Sequence, residues 1–103
     1  MEYFTYILRC ADGSLYTGIT TDLARRFAQH SGGVGRAGAK YTAARKPIAY
    51  ECAFRSPDRS SASRLEAAIK RLSRPQKLLL ISGDCSVLPE TLQVEPFPLP
   101  KTE

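Results

Sequence analysis

Three stretches of this 103-residue chain have the composition or the alternation of β-strands. Residues 3–10 and 14–20 are rich in the β-branched and aromatic side chains that suit a pleated, half-buried surface. Between them, Ala-Asp-Gly at residues 11–13 has the composition of a tight turn, in which Gly13 can take a positive φ. Apolar residues at every second position then predict a third strand over residues 47–55. We therefore expect a hairpin and a third strand.

Three helices are predicted from apolar periodicity and from start and stop signals. The first covers residues 21–30, with Thr21 as its N-cap and Asp22 in its first turn. The second starts at residues 56–58 and carries an apolar stripe at helical spacing. That stripe consists of Ala62, Leu65, Ala68, Ile69 and Leu72. The third covers residues 74–82 and stops at a glycine. Together the elements predict an α+β fold, a three-stranded antiparallel sheet flanked by helices.

Helical geometry separates the polar residues of the first helix. At about 100° per residue, Arg26 and His30 fall at the border of the stripe made by Leu23 and Phe27. Arg25 points nearly opposite to Arg26 and His30. We therefore expect Arg26 and His30 to lie where the helix meets the sheet, and Arg25 to face solvent.

A set of residues in fixed order resembles the GIY-YIG nuclease domain. The residues that carry the resemblance are Tyr6 in F-T-Y, Tyr16 and Gly18 in Y-T-G, Arg26, His30, and Glu66 in R-L-E-A-A-I-K. Each triplet alone is a weak signal, whereas the ordered set is specific. The likeness spans residues 3–82 and is strongest to the small stand-alone bacterial members of that family.

The resemblance implies a metal-dependent endonuclease that hydrolyses phosphodiester bonds in DNA, in repair or processing, and leaves a 5′-phosphate and a 3′-hydroxyl. Glu66 would hold one Mg²⁺ or Mn²⁺, and Arg26 would clamp a non-bridging phosphate oxygen. Tyr6 would deprotonate or orient the attacking water, with Tyr16 and His30 in support. An unperturbed tyrosine has a pKa of about 10, so we expect the guanidinium and the metal ion to favour its phenolate.

The same resemblance selects the register of the hairpin. A two-residue turn would set Tyr6 opposite Ile19 and would put Tyr6 and Tyr16 on opposite faces of the sheet. A three-residue turn, with Gly13 left-handed in a G1 bulge, sets Tyr6 opposite Gly18 and puts both tyrosines on one face. Gly18 would then leave open space beside the Tyr6 hydroxyl for a phosphate or a water. The turn residues suit both loops, and we predict the second because a single site requires it.

Charge is divided unevenly along the chain, whose net charge is +5. Residues 1–83 hold fourteen Lys and Arg against six Asp and Glu, a net charge of +8, whereas residues 84–103 have a net charge of −3. A basic body predicts a polyanionic partner, here nucleic acid, with DNA favoured over RNA. The residues predicted to bind it are Gly18, Arg36, Lys40, Tyr41 and Arg45.

The prolines and the charge divide the chain into a nuclease-like domain over residues 1–83 and an acidic, Pro-rich tail over residues 84–103. The four prolines of the tail exclude a continuous helix or a central strand, so we expect it to be extended or disordered. Three of its apolar residues could still hold part of it on the domain: Leu92, Val94 and Phe97. Removing residues 86–103 is expected to leave nucleic-acid binding intact or slightly tighter.

Cysteine usage and hydropathy bear on the location of the protein. No apolar run approaches the ~18 residues that a bilayer requires, so no membrane association is expected. Cys10, Cys52 and Cys85 lack the spacing of metal ligands, which is typical of free thiols in a reducing compartment. A cytoplasmic protein is therefore predicted.

Two departures from the family pattern leave a second interpretation open. F-T-Y and Y-T-G replace the family triplets, although both tyrosines remain. Many members also use an asparagine after the glutamate; this chain contains none, so Ser73, Gln76 or a water would take that role. The alternative to an active nuclease is a nucleic-acid-binding module whose nuclease site is vestigial or depends on a partner. In either case specificity would come from DNA shape or from a protein partner, and no oligomeric state is indicated.

Overall fold

The computed structural model describes residues 2–30, 47–92 and 94–99. The elements in these ranges are β1 (Tyr3–Cys10), β2 (Leu15–Thr20), α1 (Leu23–His30), β3 (Pro47–Ser56), α2 (Arg59–Lys70), α3 (Arg74–Ile81) and a 3₁₀ turn, Cys85–Val87. The strands form one antiparallel sheet in the order β2-β1-β3. The predicted α+β class and three-stranded sheet are confirmed. In the described part of the chain, no helix has the length and apolar character to cross a membrane.

The β1-β2 hairpin has the three-residue turn. Gly13 adopts a φ of 85°, and its N–H donates to the carbonyl of Cys10 at 2.9 Å. Tyr6 lies opposite Gly18 in the ladder. The predicted register is therefore confirmed, and Tyr6 and Tyr16 occupy the same face of the sheet.

The start of α1 differs from the prediction by one residue. The Asp22 carboxylate accepts a hydrogen bond from the Arg25 N–H at 3.0 Å, which is the contact of an N-cap. The Asp22 N–H in turn donates to the Thr20 hydroxyl at 3.1 Å, which fixes the chain before the helix. The predicted cap, Thr21, lies one residue too early because the helix begins at Leu23.

The two faces of the sheet are covered by different helices and different side chains. The face under α2 and α3, here called the aliphatic face, buries Ile7, Phe54, Leu65, Ile69, Leu80 and Leu88. The face under α1, here called the aromatic face, buries Tyr6, Leu8 and Ala53, with Tyr16, Leu23, Phe27, Tyr50, Phe97 and Leu99 packed around them. Strand alternation separates these two sets in β1 and β2, because neighbours along a strand point to opposite sides. In β3 a register shift opposite Ile7 and Leu8 brings Tyr50 to the aromatic face.

The C-terminal segment packs on the outer edge of β3 within its described residues. The Phe97 N–H donates to the Ala53 carbonyl, and the Arg55 N–H donates to the Glu95 carbonyl, both at 2.9 Å. Leu88 is 5% exposed and belongs to the aliphatic face. Three further side chains hold the segment on the domain, as their apolar character indicated: Leu92, Val94 and Phe97.

This packing changes the expectation for the C-terminal segment. Deletion of residues 86–103 would remove a buried leucine and the backbone partners of β3, so it should destabilise the domain rather than only remove acidic charge. The division of the chain at residue 83 stays a prediction.

Candidate active site

A group of aromatic rings forms the centre of the aromatic face. Tyr6 is fully buried, and its ring centroid lies 6.4 Å from that of Tyr16 and 5.0 Å from that of Tyr50. The Tyr50 hydroxyl donates to the Leu23 carbonyl at 2.7 Å, and the Tyr50 ring meets Phe27 edge-on at 5.6 Å. Tyr50 thus fixes the first turn of α1 over the sheet, beside Tyr6.

Arg26 reaches from α1 to the tyrosine hydroxyls. Its Nε donates to the Tyr6 hydroxyl at 3.5 Å, the outer limit of a hydrogen bond, and its Nη1 donates to Gln29 Oε1 at 2.9 Å. Partial burial lowers the pKa of Arg26, but its hydrogen bonds to Tyr6 and Tyr16 outweigh this and raise the pKa. Arg25, by contrast, is exposed, as predicted. The structure therefore holds a charged guanidinium at two phenol groups.

The protonation of Tyr6 differs from the expectation. Burial raises the pKa of Tyr6 to about 12, although Arg26 lowers it through a hydrogen bond and through its charge. Coulombic repulsion from Glu66, and from Tyr16 when it is ionised, raises the pKa of Tyr6 in the same direction as burial. Burial therefore outweighs the bias towards phenolate that Arg26 provides, and without a bound metal ion Tyr6 is a neutral phenol at pH 7.

Gly18 permits the close approach of the Tyr6 side chain to β2. A Cβ atom at Gly18 would lie 2.5 Å from the Tyr6 hydroxyl oxygen, 2.7 Å from Tyr6 Cζ and 3.1 Å from Tyr16 Cε2. The space beside Gly18, which we expected to be open for a phosphate or water, is filled by the Tyr6 hydroxyl itself. Glycine is required here for close packing, and its contact with nucleic acid stays a prediction.

Glu66 lies at the flank of α2, which packs against β1 and the edge strand β2. Its side chain is 25% exposed and lies 3.4 Å from the Lys70 ammonium. Its charge raises the pKa of Tyr6, so the carboxylate lies within electrostatic range of Tyr6. Four of the predicted catalytic residues are thereby brought into one region: Tyr6, Tyr16, Arg26 and Glu66.

The remaining predicted site residues are not all in the described ranges. His30 ends α1, but its side chain lies outside the described part of the protein. The predicted nucleic-acid contacts between α1 and β3 also lie outside it: Arg36, Lys40, Tyr41 and Arg45.

Sequence reasoning did not single out Tyr50 or Gln29 as part of the site. Tyr50 was assigned only to a strand, and no local motif distinguishes it. Alternation along β3 would put Tyr50 on the face of Cys52 and Phe54. A register shift opposite Ile7 and Leu8 brings it to the aromatic face instead, and no sequence signal marks that shift. Gln29 is three residues after Arg26, a spacing at which helical side chains meet.

Comparison with known proteins agrees with this geometry. A family model of the GIY-YIG catalytic domain matches residues 2–78. The chain belongs to the GIY-YIG family. A UPF0213 protein of Cupriavidus pinatubonensis is 49% identical to it over 75% of this chain and 82% of the relative. The solution NMR structure of a UPF0213 protein from Bacillus halodurans is 44% identical, with a TM-score of 0.51, and covers 80% of this chain and 84% of that one. GIY-YIG domains form a nuclease superfamily, so the protein is of nuclease type.

The two threonines by which this chain departs from the GIY-YIG triplets lie away from the tyrosines. Thr5 and Thr17 occupy the positions before Tyr6 and Gly18 and are buried on the aliphatic side of the sheet. The Thr5 hydroxyl donates to the Ala62 carbonyl at 3.2 Å. The Thr17 hydroxyl has no hydrogen-bond partner among the described residues. The two threonines therefore alter the support of α2. The third departure, Phe4, lies on the aromatic face, where its ring centroid is 4.8 Å from that of Phe97.

The two side chains expected to substitute for the family asparagine are engaged elsewhere. The Ser73 N–H donates to Gln76 Oε1 at 2.9 Å, and the Gln76 N–H donates to the Ser73 hydroxyl at 3.3 Å. This reciprocal capping box begins α3. Ser73 and Gln76 thus serve the helix start, and the assignment of either to the asparagine role stays a prediction.

GIY-YIG nucleases generally use divalent metals, and the residues of this chain fit such an ion. No group of three or more His, Cys, Asp and Glu side chains occurs within the described ranges. Mg²⁺, however, keeps several waters and is held by one or two carboxylates together with substrate phosphates. A partly exposed Glu66, whose charge acts on Tyr6, supplies such a carboxylate, so this donor set suits Mg²⁺ or Mn²⁺ better than Zn²⁺.

Proposed function

We propose that the protein is a metal-dependent endonuclease that hydrolyses phosphodiester bonds in DNA, in repair or processing. One observation carries the proposal: a charged guanidinium, two phenols and a carboxylate, from four different elements, lie in one region of the sheet. These groups can supply what phosphodiester hydrolysis needs, which is an oriented water and neutralisation of charge on the phosphate. The catalytic residues we assign are Tyr6, Tyr16, Arg26, His30 and Glu66.

Each assigned side chain has a task that follows from its surroundings. Arg26 binds a non-bridging phosphate oxygen, because its guanidinium is charged and is held in place by Gln29. Tyr6 orients the attacking water with its hydroxyl, whose pKa burial raises to about 12 in the metal-free protein. Glu66 would hold Mg²⁺ or Mn²⁺, which when bound polarises the phosphate and stabilises the leaving 3′ oxygen. Tyr16 supports Arg26 through their hydrogen bond.

The proposed substrate follows from charge, and the proposed location from the thiols. The net charge of +8 in residues 1–83 favours a polyanion. We assign its binding to Gly18, Arg36, Lys40, Tyr41 and Arg45. All three cysteines are free, and burial raises the pKa of Cys52 to about 12, so this thiol is unreactive. These thiols support a reducing cytoplasm.

A second candidate is a nucleic-acid-binding module whose nuclease site is vestigial or depends on a partner. The neutral state of Tyr6 favours it, because a buried phenol with a pKa of about 12 is a poor base. A protein partner or a particular DNA shape would then complete the site and supply specificity.

A cleavage panel distinguishes the two candidates. Duplex, single-stranded, flapped and branched DNA, together with RNA, should be incubated with the protein and Mg²⁺ or Mn²⁺. We expect at least one DNA to be cut, and Glu66→Gln to lower the rate at least 100-fold while DNA binding persists. Glu51→Gln is the matched control, since Glu51 is also ion-paired, to Arg9, and is 26% exposed. Cutting by Glu66→Gln at the parental rate would refute the assignment, and binding without cutting would favour the module.

A further inference from the structure

We infer that one flank of α2, formed by Arg59, Ser63 and Lys70 around Glu66, binds the backbone phosphates that flank the phosphodiester to be cut. The inference rests on the proposed function and adds a contact surface to the residues assigned above. We call it the Glu66 flank.

Helical geometry places these residues on one side of α2. At about 100° per residue, Arg59, Ser63, Glu66 and Lys70 fall within an arc of about 60°. Arg59 and Lys70 are about 16 Å apart along the helix axis, which spans several nucleotides of a backbone. Arg59, Ser63 and Lys70 are all exposed. The flank is therefore an accessible row of two cations and a hydroxyl, groups that commonly contact phosphates.

The row runs past the candidate active site. The Lys70 ammonium lies 3.4 Å from the Glu66 carboxylate, whose charge is felt by Tyr6. Arg59 lies two helical turns before Glu66, and no described residue pairs with its guanidinium. A strand whose phosphate lies at Arg26 and Glu66 would thus meet a cation on each side along α2.

The opposite flank of α2 has the same charge but a different neighbourhood. Arg64 and Arg71 are also exposed there. Arg64 donates to the Ser60 hydroxyl at 2.8 Å and borders a cavity that it shares with Glu95 of the C-terminal segment. The opposite flank does not carry Glu66, so a strand whose phosphate lies at Glu66 should meet the cations of the Glu66 flank.

Binding measured without divalent metal tests the inference independently of cleavage. The full chain, R59Q/K70Q and the control R64Q/R71Q should be titrated with a labelled duplex in EDTA at several salt concentrations. Each phosphate contact contributes about 0.9 to the slope of log K against log salt. We expect R59Q/K70Q to reduce that slope by about 2 and the affinity at 0.1 M salt at least tenfold. The control should keep the parental slope and bind within about twofold.

Every outcome of this experiment decides something. Equal losses in the two double variants, or an unchanged slope in R59Q/K70Q, would overturn the inference while the proposed function stands. If the parent neither binds nor cuts nucleic acid, both the inference and the proposed function would be overturned. Circular dichroism and thermal unfolding confirm that the variants are folded; if R59Q/K70Q is not, R59Q and K70Q should each reduce the slope by about 1.

Discussion

The aliphatic and aromatic faces of the sheet use the same three strands, yet they differ in the groups they bury. On the aliphatic face Ile7, Leu65 and Ile69 pack without polar atoms in their side chains. On the aromatic face Tyr6 is just as fully buried, but its hydroxyl meets Arg26. Burial on the first face removes apolar surface from water, which stabilises the fold. Burial on the second holds phenols and a guanidinium in fixed positions, which prepares them for chemistry.

The difference predicts that variants on the two faces have different consequences. Variants of the aromatic face should change cleavage more than stability, and variants of the aliphatic face should do the reverse. The predictions below test this separation.

The largest expected effect comes from Arg26. Arg26→Ala should lower the cleavage rate about 10²- to 10³-fold, because it removes the cation that stabilises the phosphate in the transition state. Arg25→Ala is the matched control and should stay within about threefold of the parent, since Arg25 is exposed. Single-turnover cleavage measures both rates. Equal losses of cleavage rate in Arg26→Ala and Arg25→Ala would contradict the claim that only the arginine facing the sheet acts on the phosphate.

Gly18 should come next. Gly18→Ala places a Cβ 2.5 Å from the Tyr6 hydroxyl oxygen, so the phenol must move, and the cleavage rate should fall about 100-fold. In Gly13→Ala the new Cβ meets nothing within 4 Å, and the cost is backbone strain at a φ of 85°. That variant should lose about 1 kcal/mol of stability and keep its rate. Cleavage assays and urea unfolding separate the two cases.

The aromatic face should also make the stability of the protein sensitive to alkaline pH, because it buries Tyr6. Because burial raises the pKa of Tyr6 from 10.0 to about 12, the folded state favours the neutral phenol. The stability that comes from keeping Tyr6 neutral is fully present below pH 10. It is lost as the pH rises to about 12, which lowers the free energy of unfolding by roughly 2–3 kcal/mol. Urea unfolding at pH 9 and pH 11.5 should show a smaller loss for Tyr6→Phe than for the parent. Identical losses would contradict the burial argument.

The smallest effect is a gain in stability on the aliphatic face. Thr17→Val removes a buried hydroxyl that has no partner among the described residues, so the protein should gain about 1 kcal/mol and several degrees in Tm. Thr5→Val is the control and should not stabilise, because it removes the hydrogen bond to Ala62. Neither should alter cleavage. A loss of activity in Thr17→Val would show that the faces are coupled.

The sequence predicted those features that depend on local patterns. Strand and helix bounds followed from alternation and caps, and the hairpin register followed because only one register puts Tyr6 and Tyr16 on the same face. The N-cap was assigned one residue too early because Thr21 and Asp22 are both good capping residues.

The features that sequence did not predict depend on contacts distant along the chain. The raised pKa of Tyr6 comes from its burial on the aromatic face, where Tyr50, 44 residues later, packs against it. The sequence indicated which apolar residues hold the C-terminal segment, but not its backbone hydrogen bonds to the free edge of β3, which exists only once the strand order is set. Neither contact leaves a local pattern.

The central claim is that Arg26 and Glu66 act together at one phosphodiester. Single-turnover cleavage rates of Arg26→Ala, Glu66→Gln and the double variant test it most directly. Residues of one catalytic unit give losses that do not multiply, so the double variant should cleave within about tenfold of the slower single variant. Losses that multiply fully, as for two independent sites, would contradict the claim.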